Sequence, residues 1–317
     1  MKILITGICG FIGFSLAKSL LDNKIKVFGI DNLNKYYSIK LKKKRLSILK
    51  KNKLLKFYKL DIKNKKKIDY FLKKNNFTHI FHLAAQPGVR DTKNFPEKYF
   101  YNNEVGFFNI LNNIKIRKNT KIYYASSSSV YGDQKIYPSK ENYNLMPKNI
   151  YGLTKKHNEQ MAELFHKTYG LKIVGLRFFT VFGEWGRPDM LFLKFFKQVS
   201  KNKIFYLNNN GNHYRDFTHI NDVVLVLKKL MKKNFNKHEI FNICSSSPRK
   251  LSSIISFLIK ITKFKKIKNN KRQHVEVLKT HGSNKKLIKV INHNFNSNFN
   301  DSVLKTYNWY KFYKNLI

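Results

Sequence analysis

Lys2-Ile-Leu-Ile-Thr6, then Gly7-Ile-Cys-Gly10-Phe-Ile-Gly13, opens the chain. A short apolar run, a glycine cluster and an amphipathic stretch carrying Phe11, Phe14, Leu16, Leu20 and Leu21 read as strand, tight turn and helix. Glycines let backbone N–H groups approach a pyrophosphate at the helix N-terminus, where the dipole favours anions. The turn, with Phe11 and Ile12 between its last two glycines, is a candidate cradle for a dinucleotide. Its spacing is GxxGxxG rather than GxGxxG. A secretory leader also begins with a basic residue and an apolar run. Here glycines interrupt the run, no small-residue cleavage site follows and a second strand begins at once. That strand, Lys26-Val-Phe-Gly-Ile30, ends at Asp31, 18 residues after Gly13. An acid at this distance suits the hydroxyls of an adenosine ribose and repels a 2′-phosphate, which favours NAD over NADP. Lys35 nearby leaves the phosphorylated cofactor open.

Outward from this turn, strand-like and helical runs alternate through the first 180 residues. Further strands are expected at Leu54–Lys59, Thr78–Leu83, Lys121–Ala125 and Lys172–Arg177, with amphipathic stretches such as Glu97–Ile116 and Tyr151–Tyr169 between them. Such alternation predicts an α/β fold with a doubly wound parallel sheet. Ligands of such sheets bind beyond the carboxyl ends of the strands. The conspicuous residues fall there: the glycines, Asp31-Asn32, Asp61-Ile62, Leu83-Ala84-Ala85 and Ser126–Ser129. Past residue 180 the pattern breaks into shorter elements with Gly183, Gly186, Pro188 and Gly211 in loops. The expected organisation is a dinucleotide-binding domain over 1–178 and a smaller, mainly substrate-binding lobe over 179–317. A segment near 216–243 is a candidate to return to the first domain. Asn292–Asn300 is expected to be a loop.

Tyr151-Gly-Leu-Thr-Lys155 places a phenol and an ammonium on one helix face. A phenol with a pKa of about 10 is a poor base at neutral pH. Half-ionisation at pH 7 needs about 4 kcal/mol. Two cations about 5 Å away, at an effective dielectric near 20, each supply about 3 kcal/mol before desolvation is charged against them. Lys155 is one candidate and an oxidised nicotinamide ring the other. The expectation is a phenol made acidic by its neighbours.

The chain carries 63 Lys plus Arg against 18 Asp plus Glu, a formal charge of +45. Lys, Asn, Ile, Phe and Tyr are enriched together and share A/T-rich codons, so base composition explains the whole set, whereas a nucleic-acid surface explains only the lysines. The charge should steer anionic substrates and give weak, salt-sensitive nucleic-acid binding without specificity. Arginine is scarce, at eight residues, and four of them, Arg90, Arg177, Arg187 and Arg215, stand in the motifs below. Its planar fork binds carboxylate and phosphate in ways lysine cannot copy. Two distant cysteines, Cys9 and Cys244, make no disulfide framework, and no His/Cys cluster has metal-site spacing. No apolar run is long enough to span a bilayer. A reduced, cytoplasmic setting without metal or membrane is expected.

With these residues together, the chain resembles the extended short-chain dehydrogenase/reductases, and among them the nucleotide-sugar epimerases. The motifs are Gly7-x-x-Gly-x-x-Gly13, Phe81-His-Leu-Ala-Ala85, Tyr124-Ala-Ser-Ser-Ser-Ser-Val-Tyr-Gly132, Tyr151-x-x-x-Lys155 and Arg215-Asp-Phe-Thr-His219. Asp31-Asn-Leu-Asn34 with Tyr36-Tyr37, Gln86-Pro-Gly-Val-Arg90 and the run from Leu176 to Met190 look like UDP-glucuronate 4-epimerases. The resemblance implies a Rossmann domain and NAD held by Gly7, Gly10, Phe11, Ile12, Gly13, Asp31, Asn32, Asp61, Ile62, Leu83, Ala84, Ala85, Tyr151 and Lys155. It also implies a UDP-sugar held by Arg90, Ser128, Ser129, Thr180, Arg187 and Arg215, and a homodimer through the helices near Glu97–Ile116 and Tyr151–Tyr169. Thr180 and Arg187 would lie near the sugar carboxylate and Arg215 at the diphosphate. Arg272 is a candidate only, because Gln273-His-Val-Glu276 departs from the Gln-Pro-Gly-Asp of the pattern.

The implied reaction is 4-epimerisation of a UDP-hexuronic acid by transient oxidation at C4. Tyr151 takes the 4-OH proton, and Ser127, or Ser128 after a shift of one, relays it. A 4-keto uronate is a β-keto acid and loses CO₂ if its carboxylate aligns with the carbonyl π system. UDP-glucuronate decarboxylase is therefore the alternative, and UDP-glucose 4-epimerase a further one. A 4,6-dehydratase needs an Asp-Glu pair where this chain has Ser126 and Ser128. Outside catalysis, a nucleotide-sensing or nucleic-acid-binding role is the competing class.

Overall fold

The computed structural model describes residues 1–92, 94–117, 119–271 and 276–317, with Arg90 described by its backbone. Seven strands form one parallel sheet: β1 (Ile3–Thr6), β2 (Val27–Asp31), β3 (Leu55–Lys59), β4 (His79–His82), β5 (Lys121–Ser127), β6 (Lys172–Phe178) and, later in the chain, Glu239–Ile243. Three strands that precede this last one, β7 (Thr180–Phe182), β8 (Phe205–Asn208) and β9 (Tyr214–His219), make it β10. The spatial order is β10-β6-β5-β4-β1-β2-β3. The direction of winding reverses between β1 and β4, which opens a crevice at their carboxyl ends.

Helices cover both faces, so the central strands are apolar on both sides. Ile3 and Ile5 of β1 pack with Phe14, Ala17 and Leu20 of α1 (Phe11–Asp22); near α1 lies α2 (Ile39–Lys50). Leu4 points the other way, into a layer with Phe71 of α3 (Lys65–Lys73), and with residues of two helices later in the chain. The stretch expected at Glu97–Ile116 is α4 (Pro96–Tyr99), a π-helical segment over Phe100–Val105 and α5 (Gly106–Ile114). The next helix, α6 (Ile150–Tyr169), starts at Asn149, whose side chain accepts from Gly152 N at 2.9 Å, and ends at Gly170 in the left-handed region. Asn149 at the start and glycine at the end are the standard caps.

Beyond β6 the chain forms α7 (Leu191–Ser200) and then α8 (Ile220–Met231), which packs against α1, while β10 extends the large sheet. A short sheet joins β7, β9 and β11 (Pro248–Lys250); β8 pairs with β12 (Ile267–Asn270). These elements, with α9 (Leu251–Thr262), enclose an aromatic core containing Phe182, Phe192, Phe195, Phe196, Phe205 and Phe217. The chain closes with α10 (Lys285–Ile291) and α11 (Phe299–Tyr313). The loop expected to reach Asn300 is cut short because Asn298 caps α11, accepting from Asp301 N at 3.1 Å. Another difference matters for the site: β5 runs to Ser127, not Ala125. Ser126 and Ser127 pair with Arg177 and Phe178 of β6, so two of the four serines stand on sheet rather than in a loop.

Candidate active site

The crevice holds a cleft of about 560 Å³ between the carboxyl edge of the sheet and the C-terminal elements. Gly7, Gly10, Phe11, Ile12, Gly13, Asp31, Asn32, Ile62, Leu83, Ala84 and Ala85 line one part of it. Ser127, Ser128, Ser129, Tyr151, Lys155, Thr180, Arg187 and Arg215 line the rest. Asp61 stands behind the lining, accepting from Asn32 Nδ2 at 3.1 Å and Lys63 N at 2.9 Å, while its neighbours Leu60 and Ile62 face the cleft. The Arg90 side chain and Arg272 lie outside the described residues.

The glycine turn accepts no side chains. Gly7 has φ +69°, and a Cβ there would stand 2.8 Å from the Ala84 backbone. A Cβ on Gly13 would stand 2.3 Å from Gly7 O, well inside contact distance. Gly10 caps α1 with no side-chain hydrogen bond, which leaves the first amides of that helix to an anion. Asp31 is buried at the end of β2; its Oδ2 accepts Cys9 N at 2.9 Å and its Oδ1 accepts Leu33 N at 2.8 Å. Burial pushes its pKa up, opposed by those amides and by Lys42 and Arg45. Lys35 is exposed and off the lining. Lys42 lines the cleft instead, but its Nζ is committed to Asn34 O at 2.8 Å and Asn34 Oδ1 at 2.6 Å. These features, a bare glycine turn, an uncapped helix start and a buried acid at the strand end, fit a dinucleotide.

At the other end, Tyr151 enters from α6, and the Ser127 hydroxyl at the end of β5 lies beside its phenol and favours the ionised form. Ser127 Oγ also accepts Ser129 N at 3.1 Å. Tyr99 from α4 packs edge-on against the Tyr151 ring, with centroids 6.3 Å apart. Lys155 Nζ is 5.9 Å from the same ring. Electrostatically the pair departs from expectation. Burial pushes the Tyr151 phenol up, opposed by the Ser127 bond and Arg187, and burial pushes Lys155 down to about 7. Desolvation outweighs the Ser127 hydroxyl and the Arg187 charge, so the cleft by itself favours Tyr151 protonated. A further positive charge is needed, the place assigned above to the nicotinamide ring.

Arg187 forms a fork with Asp189, Nε to Oδ1 at 3.1 Å and Nη2 to Oδ2 at 2.5 Å, and Tyr36 Oη reaches Asp189 Oδ2 at 3.5 Å. Arg215 donates to Leu278 O at 3.1 Å and Tyr214 O at 2.9 Å. Sequence reasoning missed Asn103. It sits in the π-helical segment, accepts Gln86 N at 2.8 Å, and donates to Gln86 O at 3.2 Å and Thr154 Oγ1 at 3.0 Å. One amide thus ties the loop after β4 to α6. π-Segments often mark functional sites, but the short run Phe100–Val105 carries no sequence signal for one. Among the described residues no His/Cys/Asp/Glu group could hold a metal, and no helix is long and apolar enough to cross a membrane.

The sheet order, glycine turn and Tyr/Lys pair define an NAD-dependent short-chain dehydrogenase/reductase of the extended type. The sequence profile of the NAD dependent epimerase/dehydratase family matches residues 3–244. The chain belongs to this family; it is an isomerase whose cofactor is NAD. It is 41% identical to an uncharacterised protein of Methanocaldococcus jannaschii over 98% of this chain and 96% of that one. It is 35% identical to UDP-glucuronate 4-epimerase 4 of Arabidopsis thaliana over 85% of this chain and 65% of that one. The crystal structure of UDP-glucuronic acid 4-epimerase from Bacillus cereus, in complex with UDP-glucuronic acid and NAD, superposes with a TM-score of 0.91 at 32% identity, covering 98% of this chain and 99% of that one.

Proposed function

We propose that the protein converts UDP-glucuronate to UDP-galacturonate. The observation that carries this is one cleft lined by Ser127, Tyr151, Thr180 and Arg187, with the Arg187 guanidinium close enough to act on the Tyr151 phenol. NAD⁺, when bound, supplies the oxidant for C4 and a positive ring near Tyr151. Tyr151 Oη takes the proton of the sugar 4-OH, and Ser127 Oγ bridges the two oxygens. Lys155 Nζ, as a cation, favours the phenolate. Arg187 and Thr180, with the hydroxyls of Ser128 and Ser129, hold the sugar carboxylate out of line with the C4 carbonyl and so suppress CO₂ loss. Arg215 engages the diphosphate.

Arg187→Ala should lower kcat/KM for UDP-glucuronate by about 10²-fold, the order expected for losing a charge-assisted hydrogen bond from the guanidinium side that Asp189 leaves open, and should lower it far less for UDP-glucose. Equal losses would take Arg187 off the carboxylate. Ser127→Ala should reduce kcat by about 10²-fold with KM nearly unchanged, the signature of a contact made in the transition state. The deciding experiment is to incubate the protein with UDP-glucuronate and resolve the product. A hexuronate supports the proposal; a pentose makes the protein a decarboxylase.

The same proposal includes a homodimer. Phe100, Tyr101 and Phe108, with Leu153 and Leu164 of α6, are exposed apolar residues suited to a second copy. A cytoplasmic setting belongs to the same proposal.

A further inference from the structure

Glu159 lies one helical turn beyond Lys155 and two beyond Tyr151 on α6, so the three share a face. It has no part in the steps above, yet it is 4% exposed. Its Oε1 accepts Ser126 Oγ at 2.5 Å and Arg177 Nε at 2.9 Å; its Oε2 accepts Arg177 Nη2 at 2.7 Å. Arg177 is buried as well and also donates to Tyr131 Oη at 2.8 Å and Glu141 O at 2.9 Å. A buried ion pair stabilises a fold no better than well-packed apolar residues of the same volume. Its position under the reacting pair gives it another use.

We propose that Glu159 is a positioning residue for Tyr151 and Lys155: its carboxylate anchors Ser126, and with it the adjacent Ser127, and sets a negative charge one turn below the Lys155 ammonium. The inference rests on Tyr151 being the base. The other groups around Lys155 do not supply this charge. His82, from β4, is buried and pushed down to about 3, so it is neutral. Tyr124 of β5 is held protonated by burial. Arg177 of β6 is positive and engaged by Glu159, and Arg187 acts on Tyr151. Of these groups, Glu159 is the one that opposes the effect of burial on Lys155.

The working form of the pair holds one proton, on Nζ, with the phenol ionised. The doubly protonated pair is inactive, so kcat/KM rises with pH as the first proton leaves. Without the negative charge, Nζ holds its proton less well. In the Glu159→Gln holoenzyme the acid limb of kcat/KM should therefore move to lower pH by about one unit or more. The plateau should fall about tenfold per unit, because a smaller share of the one-proton pair carries its proton on Nζ. Glu159→Asp should recover part of both. A lowered plateau with an unmoved limb would overturn the electrostatic role of Glu159 on Lys155. Should Glu159→Gln not fold, Ser126→Ala decides, since it keeps the ion pair. It should lower kcat severalfold with KM unchanged, beside the modest loss of stability that one buried hydrogen bond carries, and an unchanged kcat overturns the anchoring role. An active Tyr151→Phe enzyme would sink the base itself. An inactive one with an unmoved Glu159→Gln limb removes Glu159 alone.

Discussion

Tyr151→Phe is expected to lower kcat by about 10³-fold or more while NAD remains bound. General-base catalysis contributes about 10²–10⁴-fold, and neither of the two described neighbours, Ser127 and Lys155, is placed to take over. Ser127 touches the phenol, but a serine hydroxyl is far too weak a base alone. Lys155 Nζ stands 5.9 Å from the ring centroid. The ring would stay: it packs edge-on against Tyr99, and phenylalanine preserves that contact. The loss should thus appear in turnover, with cofactor content and the thermal midpoint held. Single-turnover absorbance of reduced cofactor on mixing with UDP-glucuronate checks it. Near-normal turnover in this variant would remove Tyr151 from the chemistry.

Arg177→Ala should destabilise the fold by about 3–5 kcal/mol, the cost of stranding a buried charge. The Glu159 carboxylate would lose two of its three donors in a place where both partners are at most 5% exposed by side chain. The pair itself is a different matter. Replacing both members with apolar residues, Arg177→Met with Glu159→Leu, should recover much of the stability yet leave an impaired enzyme. Urea unfolding of the two variants measures the contrast. A double variant as unstable as the single one would show that packing, not charge, holds this part of the core.

That network also shows where sequence reading stops. The glycine turn was readable because backbone geometry admits only glycine at Gly7 and Gly13, and the spacing displays it. Tyr151 and Lys155 were readable because a helix brings fourth neighbours together. Ser126, Glu159 and Arg177 sit on three separate elements, and only the finished sheet and α6 join them. Arg177 was noted as a scarce arginine inside a motif, but its partner was not visible. The run Lys42-Lys43-Lys44-Arg45 reads as a solvated helix face, yet Lys42 and Arg45 are buried; what distinguishes Lys42 is burial beside Asp31, a property of packing. The direction of the Tyr151 shift failed for the same reason. A sequence names the neighbours of a phenol but not how much water they exclude, and here desolvation wins. The reach of β5 to Ser127 depends on pairing with β6, which local propensity does not carry.

Arg45 of α2 is fully buried, and its guanidinium donates to Cys9 O in the glycine turn at 2.8 Å and to Gly186 O, one residue before Arg187, at 3.0 Å. One cation therefore rivets the glycine turn to the loop that carries Arg187. Neither can drift without dragging the other. A lysine at this point, with a single nitrogen and no fork, could not span both carbonyls, so this is one place where the chain's drift toward lysine has a geometric limit.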